Sequence, residues 1–126
     1  MITFEAFSME EGVPIYVQIV QYLKRGMIAG AVTSGDELPS RRMLSSLLGV
    51  NPNTVQKAYR ILEEEGLIES HTGAKSCVSV DEKTVARLKK ELLREDVKTL
   101  VLTLRQSGIS KEDALNLIDT MWEEAL

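Results

Sequence analysis

The sequence predicts a mainly α protein with one small β-hairpin: three short helices and the hairpin in residues 1–80, then a two-helix tail in residues 81–126. Three observations carry this. Apolar residues recur at spacings of three and four along most of the chain. All three prolines and seven of the eight glycines fall in residues 1–80, as expected of short helices joined by tight turns. Two β-prone runs, Leu67-Ile68-Glu69-Ser70 and Cys77-Val78-Ser79-Val80, flank a polar tip, His71-Thr72-Gly73-Ala74-Lys75, which is the pattern of a hairpin.

The first helix is expected from Pro14, because proline is tolerated in a first helical turn. Ile15, Ile19, Leu23 and Met27 form its apolar stripe, with Tyr16 and Val20 beside it, and Gly30 is a suitable terminator. A turn at Thr33-Ser34-Gly35-Asp36 leads to Ser40, a cap for a second helix over Arg41–Leu48. Met43, Leu44, Leu47 and Leu48 are its expected inward face. Gly49-Val50-Asn51 makes the next turn. Asn51 caps a third helix with Pro52 at its first position, running to about Glu65 and stopping at Gly66. Val55, Ala58, Tyr59 and Leu62 face inward; Asn53, Thr54, Gln56, Lys57 and Arg60 face outward.

In the tail, residues 83–107 read as one long helix. Leu93, Val97, Leu100 and Leu104 step by four, three and four, with Val85, Leu88 and Leu92 as a neighbouring stripe. Gly108 ends it. Ser110 with Asp113 three residues on opens a last helix that shows Leu115, Leu117, Ile118, Met121 and Trp122. Two helices this apolar cannot cover each other alone, so a partner is implied, most simply the same tail of a second chain in a two-fold dimer. The expected dimer contacts are Leu88, Leu92, Leu93, Val97, Leu100, Leu104, Leu115, Ile118, Met121 and Trp122.

Composition removes several function classes. One cysteine, Cys77, excludes an intrachain disulfide, and one histidine with one cysteine excludes a Cys/His-rich zinc site within the chain, so no metal is expected. No apolar run reaches the ~20 residues of a membrane span. Glu5, Glu10 and Glu11 stand where a signal peptide would need a basic segment and an apolar core, so a cytoplasmic protein without membrane partners is expected. Catalysis would need a positioned base and nucleophile, and the lone histidine, His71 on the wing, belongs to no such arrangement that the sequence names, so neither catalytic residues nor a cofactor are expected. The net charge of −4 does not by itself advertise nucleic acid.

The local charge does. From Leu38 to Leu62 there are four basic residues, Arg41, Arg42, Lys57 and Arg60, and no acidic one. Three helices and a hairpin, with a three-residue glycine-containing turn between the second and third helices, make the winged helix-turn-helix plan. The third helix of that plan must offer its N-terminal half to the DNA major groove, free of carboxylates. Asn53, Thr54, Gln56 and Lys57 meet that demand: Asn and Gln pair with adenine, Lys with guanine or phosphate. An alternative is a winged-helix module that serves protein assembly and reads no DNA; such a face should be apolar at Asn53, Gln56 and Lys57.

Pro14-Ile15-Tyr16, Gly30, Gly35, Leu38-Pro39-Ser40, Arg42, Leu44, Val50-Asn51-Pro52-Asn53-Thr54-Val55, Ala58-Tyr59, Leu62 and Gly66-Leu67-Ile68 resemble the DNA-binding domain of GntR-family bacterial transcription regulators. With only 46 residues after it, the chain is similar to the short YtrA-type branch. The resemblance implies a dimeric repressor of a transporter-type operon, binding a double-stranded palindromic operator. It also implies a phosphate and base contact from Arg42 and a reading edge at Asn51, Asn53, Thr54 and Gln56; the acid-free stretch around them adds Ser40, Arg41, Lys57 and Arg60 as expected DNA contacts. On the wing it implies the tip glycine Gly73; His71 and Lys75 beside it are expected DNA contacts on their own chemistry, Lys75 toward a phosphate. Thr72, Lys75 and Cys77 depart from the family's usual wing, which leaves the wing's path open. No residue pattern names a small-molecule effector; one of ~300 Å³ would have to bind between subunits or between tail and reader domain.

Overall fold

The structure, a computed structural model, describes residues 1–71 and 75–125. Five helices and three strands follow in the order α1 (Ile15–Ala29), β1 (Glu37–Leu38), α2 (Arg41–Leu48), α3 (Pro52–Glu64), β2 (Ile68–His71), β3 (Lys75–Val78), α4 (Glu82–Gln106) and α5 (Lys111–Glu124). They divide into two compact units, Met1–Lys89 and Lys90–Leu126.

In the first unit the helix ends follow local chemistry. Pro14 is extended at ψ 137° and caps α1 from outside, one residue earlier than a first-turn proline, while its carbonyl accepts from Val17 N and Gln18 N. Ser40 Oγ accepts from Met43 N at 3.1 Å and Asn51 Oδ1 from Asn53 N at 2.8 Å, so both helices of the central pair start on a side-chain cap. Between them Gly49 takes φ +66°, a conformation any Cβ would strain, and its N–H returns to Ser45 O. That single residue lets α3 leave α2 after so short a turn.

The core is built from Ile19, Leu23 and Met27 of α1, Leu44 of α2, Val55, Ala58, Tyr59 and Leu62 of α3, and Leu67, Ile68 and Val78 around the hairpin. These agree with the expected faces of α1 and α3. Gly26 has a packing reason: a Cβ there would lie 2.6 Å from Val32 Cγ2. On α2 the expectation is corrected. Met43 and Leu47 are exposed, and Ser45 is buried beside Leu44 in their place, its hydroxyl turned back to the Arg42 carbonyl at 2.9 Å. The spacing of these four residues does not say which part of the apolar side is covered, and the fold closes over the Leu44–Ser45 side and leaves the Met43–Leu47 side in water.

The hairpin is one part of a three-stranded antiparallel sheet in the order β1-β3-β2. Cys77 pairs with both Glu37 and Glu69, and His71 with Lys75. His71 and Lys75 are therefore strand residues and not part of the tip; the expected tip glycine, Gly73, lies outside the described residues. β1, only two residues long, carries no period a sequence could show.

An N-terminal arm completes this unit. Ile2 N donates to Glu37 O at 2.8 Å, Tyr22 Oη donates to Thr3 O at 2.9 Å, and Phe4, Phe7 and Tyr22 form an aromatic cluster with centroids 4.9–5.7 Å apart. Gln18 ties the arm's end, accepting from Glu10 N and donating to Val13 O.

The first unit reaches past the expected boundary at Asp81. Asp81 Oδ1 caps α4 by accepting from Thr84 N at 2.7 Å, which holds its carboxyl below the ordinary range. Leu88, 2 % exposed, belongs to the core. It was expected among the dimer contacts, and its burial within a single chain removes it from them.

The second unit has no core of its own. None of its described residues is buried. Leu93, Val97, Leu100, Val101 and Leu102 of α4 and Leu115, Leu117, Ile118, Met121 and Trp122 of α5 are all exposed, Trp122 by 72 %; Leu92 and Leu104 are half-buried. Gly108 at φ +75° and the Ser110 cap on Asp113 N separate the two helices. Leu100, Leu104, Leu117, Ile118, Met121 and Trp122 line an open apolar groove of about 300 Å³.

Candidate nucleic-acid interface

The outer face of α3 carries Asn53, Gln56, Lys57 and Arg60, spaced three, four and seven residues apart, so they stand in one row along the helix. All four are exposed, and Thr54 beside them is half-buried. Directly behind the row Val55, Ala58, Tyr59 and Leu62 are sealed in the core, which fixes the helix rotation and hence which side chains face out. Asn51 is exposed at the cap, its Oδ1 used by the helix start. Ser40 and Arg42 lie at the start of α2, both exposed. Arg42 pairs with no carboxylate among the described residues. The row is polar throughout, whereas an assembly face would be apolar at Asn53, Gln56 and Lys57.

The neighbouring arginine behaves differently. Arg41 turns inward: its Nη2 donates to Glu63 Oε1 at 3.3 Å, and its guanidinium lies 5.2 Å from the Tyr59 ring centroid. Glu63 also accepts from the Ser70 hydroxyl of β2, and Ser70 Oγ lies 3.2 Å from the buried Ser76 of β3. Tyr59 Oη donates to Pro39 O at 2.7 Å. Burial raises the Tyr59 phenol above its ordinary value, with Arg41 pulling weakly the other way. These contacts brace the start of α2, the end of α3 and the sheet as one block. Arg41, expected as a DNA contact, is part of that brace because its guanidinium is turned inward, with Nη2 on a half-buried carboxylate and Nε buried.

The acidic end of α3 is neutralised internally. Glu63 meets Arg41, Glu64 lies 4.0 Å from Arg60, and Glu65 accepts from Lys24 at 2.9 Å. Lys57 Nζ sits 4.0 Å from the Tyr16 ring centroid, a cation–π contact between α1 and α3 that the spacing of apolar residues in α1 does not reveal. On the wing, His71 is exposed at the end of β2. Lys75 is exposed opposite it, with Nζ 3.9 Å from Glu37. Among the described residues no group of three or more His, Cys, Asp or Glu side chains could hold a metal ion, and no helix is long and apolar enough to cross a membrane.

Three helices, a three-stranded sheet and an exposed, acid-free edge on the third helix define a winged helix-turn-helix protein of the DNA-reading class. Residues 15–78 match the family model described as bacterial regulatory proteins, gntR family. The chain is 39 % identical over 100 residues to the HTH-type transcriptional repressor YtrA of Bacillus subtilis, covering 79 % of this chain and 77 % of that protein. Among solved structures it is similar to a GntR family transcriptional regulator from Listeria monocytogenes, with TM-score 0.79, 29 % identity, and coverage of 89 % of this chain and 98 % of the other. The DNA-binding domain of AraR in complex with operator ORR3 matches at TM-score 0.50 and 25 % identity, over 58 % of this chain and 88 % of that one. The chain therefore belongs to the GntR family and is a DNA-binding transcription regulator, not an enzyme.

Proposed function

We propose that the protein is a dimeric repressor that reads a two-fold symmetric operator upstream of a transporter-type operon. The observation that carries this is the exposed row Asn53, Gln56, Lys57 and Arg60 on a helix whose opposite face is locked in the core. In this reading α3 enters the major groove. Asn53, Thr54 and Gln56 meet base edges, while Lys57, Arg60, Ser40 and Arg42 meet bases or phosphates. Asn51 holds the start of the reading helix. His71 and Lys75 approach the backbone or the minor groove. That the similar protein YtrA is a transcriptional repressor, and that the similar AraR domain is bound to an operator, supports the same kind of partner for this chain.

The second unit supplies the dimer. A 37-residue segment with no buried residue among those described falls below the size at which a chain closes a core unaided, so its apolar groove calls for a second copy. The contacts are Leu92, Leu93, Val97, Leu100 and Leu104 of α4 with Leu115, Ile118, Met121 and Trp122 of α5. The dimer's symmetry then places two reading helices on half-sites about one helical turn, or a multiple of it, apart.

The test is a mobility-shift titration of the full chain on DNA taken from upstream of its own gene, across a salt series. Expected are a preference for that DNA over unrelated duplex of equal length, and a steep fall in affinity with salt. Equal affinity for both duplexes would refute the operator reading.

A further inference from the structure

We infer that Tyr16 is a positioning residue for DNA reading, holding the Lys57 ammonium in place on the outer edge of α3. The inference rests on the operator reading above and adds a residue of α1 to it. Tyr16 is the second residue of α1, half-buried and packed against the core, so its ring is a fixed platform. Lys57 is exposed, and of the cations on the outer edge it is the one held over an aromatic face, at 4.0 Å from the centroid. Arg42 and Arg60, by contrast, have no ring among their described contacts.

The physical consequence concerns entropy and aim. A free lysine head samples many rotamers on a four-carbon stem, and freezing it on a phosphate or a guanine costs part of the contact's value. A ring beneath the ammonium restricts those rotamers before DNA arrives. The ammonium carries three N–H donors; with one face given to the ring, the others remain for O6, N7 or a phosphate oxygen. The contact also works by electrostatics alone. Phenylalanine should serve nearly as well as tyrosine, while a leucine of comparable packing role should not.

The experiment has one readout without DNA and one with it. By NMR on the full chain, the Lys57 Hε protons should show an upfield ring-current shift in the wild type and in Tyr16→Phe, and lose it in Tyr16→Leu. In DNA titrations at fixed salt, Tyr16→Leu should weaken operator binding by about 5- to 30-fold for a two-site dimer, from one exposed cation–π contact per half-site. Tyr16→Phe should restore binding. In a Lys57→Met background the same Tyr16→Leu change should have almost no effect, because the partner is gone. An equal loss in both backgrounds would show that Tyr16 only packs the core, and would overturn the inference. So would absence of the ring-current shift, or tighter binding by Tyr16→Leu. If the wild type shows no sequence preference at any salt, the operator reading fails and this inference fails with it. If the wild type prefers its operator and the cycle is additive, this inference alone is refuted.

Discussion

Replacing Arg42 by alanine, with Arg41→Ala as its neighbour control, separates surface charge from structural charge within two adjacent residues. Of the four cations between Leu38 and Leu62, Arg41 is held by half-buried Glu63, whereas Arg42, Lys57 and Arg60 are exposed, and the solvent-exposed pair of Arg60 with Glu64 gives way readily to phosphate, so three cations per protomer and six in the proposed dimer can meet it. Six neutralised phosphates give a slope of log K against log salt of about −5.4, or about a 2,000-fold loss of affinity between about 50 and about 200 mM salt. Arg42→Ala removes one contact per half-site, so the slope should flatten to about −3.6. At fixed salt, binding should weaken by about 1.5–3 kcal/mol per half-site, the range for a charge-assisted hydrogen bond. Arg41→Ala should leave the slope unchanged and instead destabilise the fold. Glu63 is left half-buried without its cation, a cost of about 1 kcal/mol at this exposure, which lowers Tm by roughly 4–8 °C in a unit of this size. The assay is fluorescence anisotropy over the salt series beside thermal unfolding of each variant. An unchanged slope for Arg42→Ala, or an equally flattened slope for Arg41→Ala, would refute the assignment of the two side chains.

Three other outcomes follow from the same geometry. Tyr59→Phe leaves the Pro39 carbonyl without its buried donor and should cost about 1–3 kcal/mol, read by thermal or denaturant unfolding. Because burial raises the Tyr59 phenol, the wild type binds this proton more tightly folded than unfolded. That stabilisation is fully present below the unfolded value of about 10 and declines as pH rises above it. Tyr59→Phe should therefore show a shallower alkaline loss of stability, and parallel curves would contradict the buried placement. Leu100→Asp, at a site 43 % exposed in one chain, should shift sedimentation from dimer to monomer, and an intact dimer would refute the tail's role. Gln56→Ala should change the preferred operator sequence in a binding-site selection more than overall affinity; an identical selected motif would show that Gln56 reads no base.

What the amino-acid sequence determined by itself is the part governed by neighbours along the chain. Caps at Ser40, Asn51 and Ser110, the left-handed glycines after α1 and α2, and the three-and-four periodicity of α1 and α3 all act within about four residues, so they are visible in one dimension. The same locality explains why the polar row on α3 could be read: it is the complement of a buried stripe. What only the tertiary structure decided are pairings between distant residues. Arg41 finds Glu63 22 positions away, β1 finds β3 across two helices, and Lys57 finds Tyr16 on another helix. Met43 and Leu47 against Ser45, and Leu88 in the core against a place at the dimer surface, were likewise settled by which neighbours close around each side chain. A side chain's apolarity states that it gains by leaving water, but not which of several surfaces will cover it.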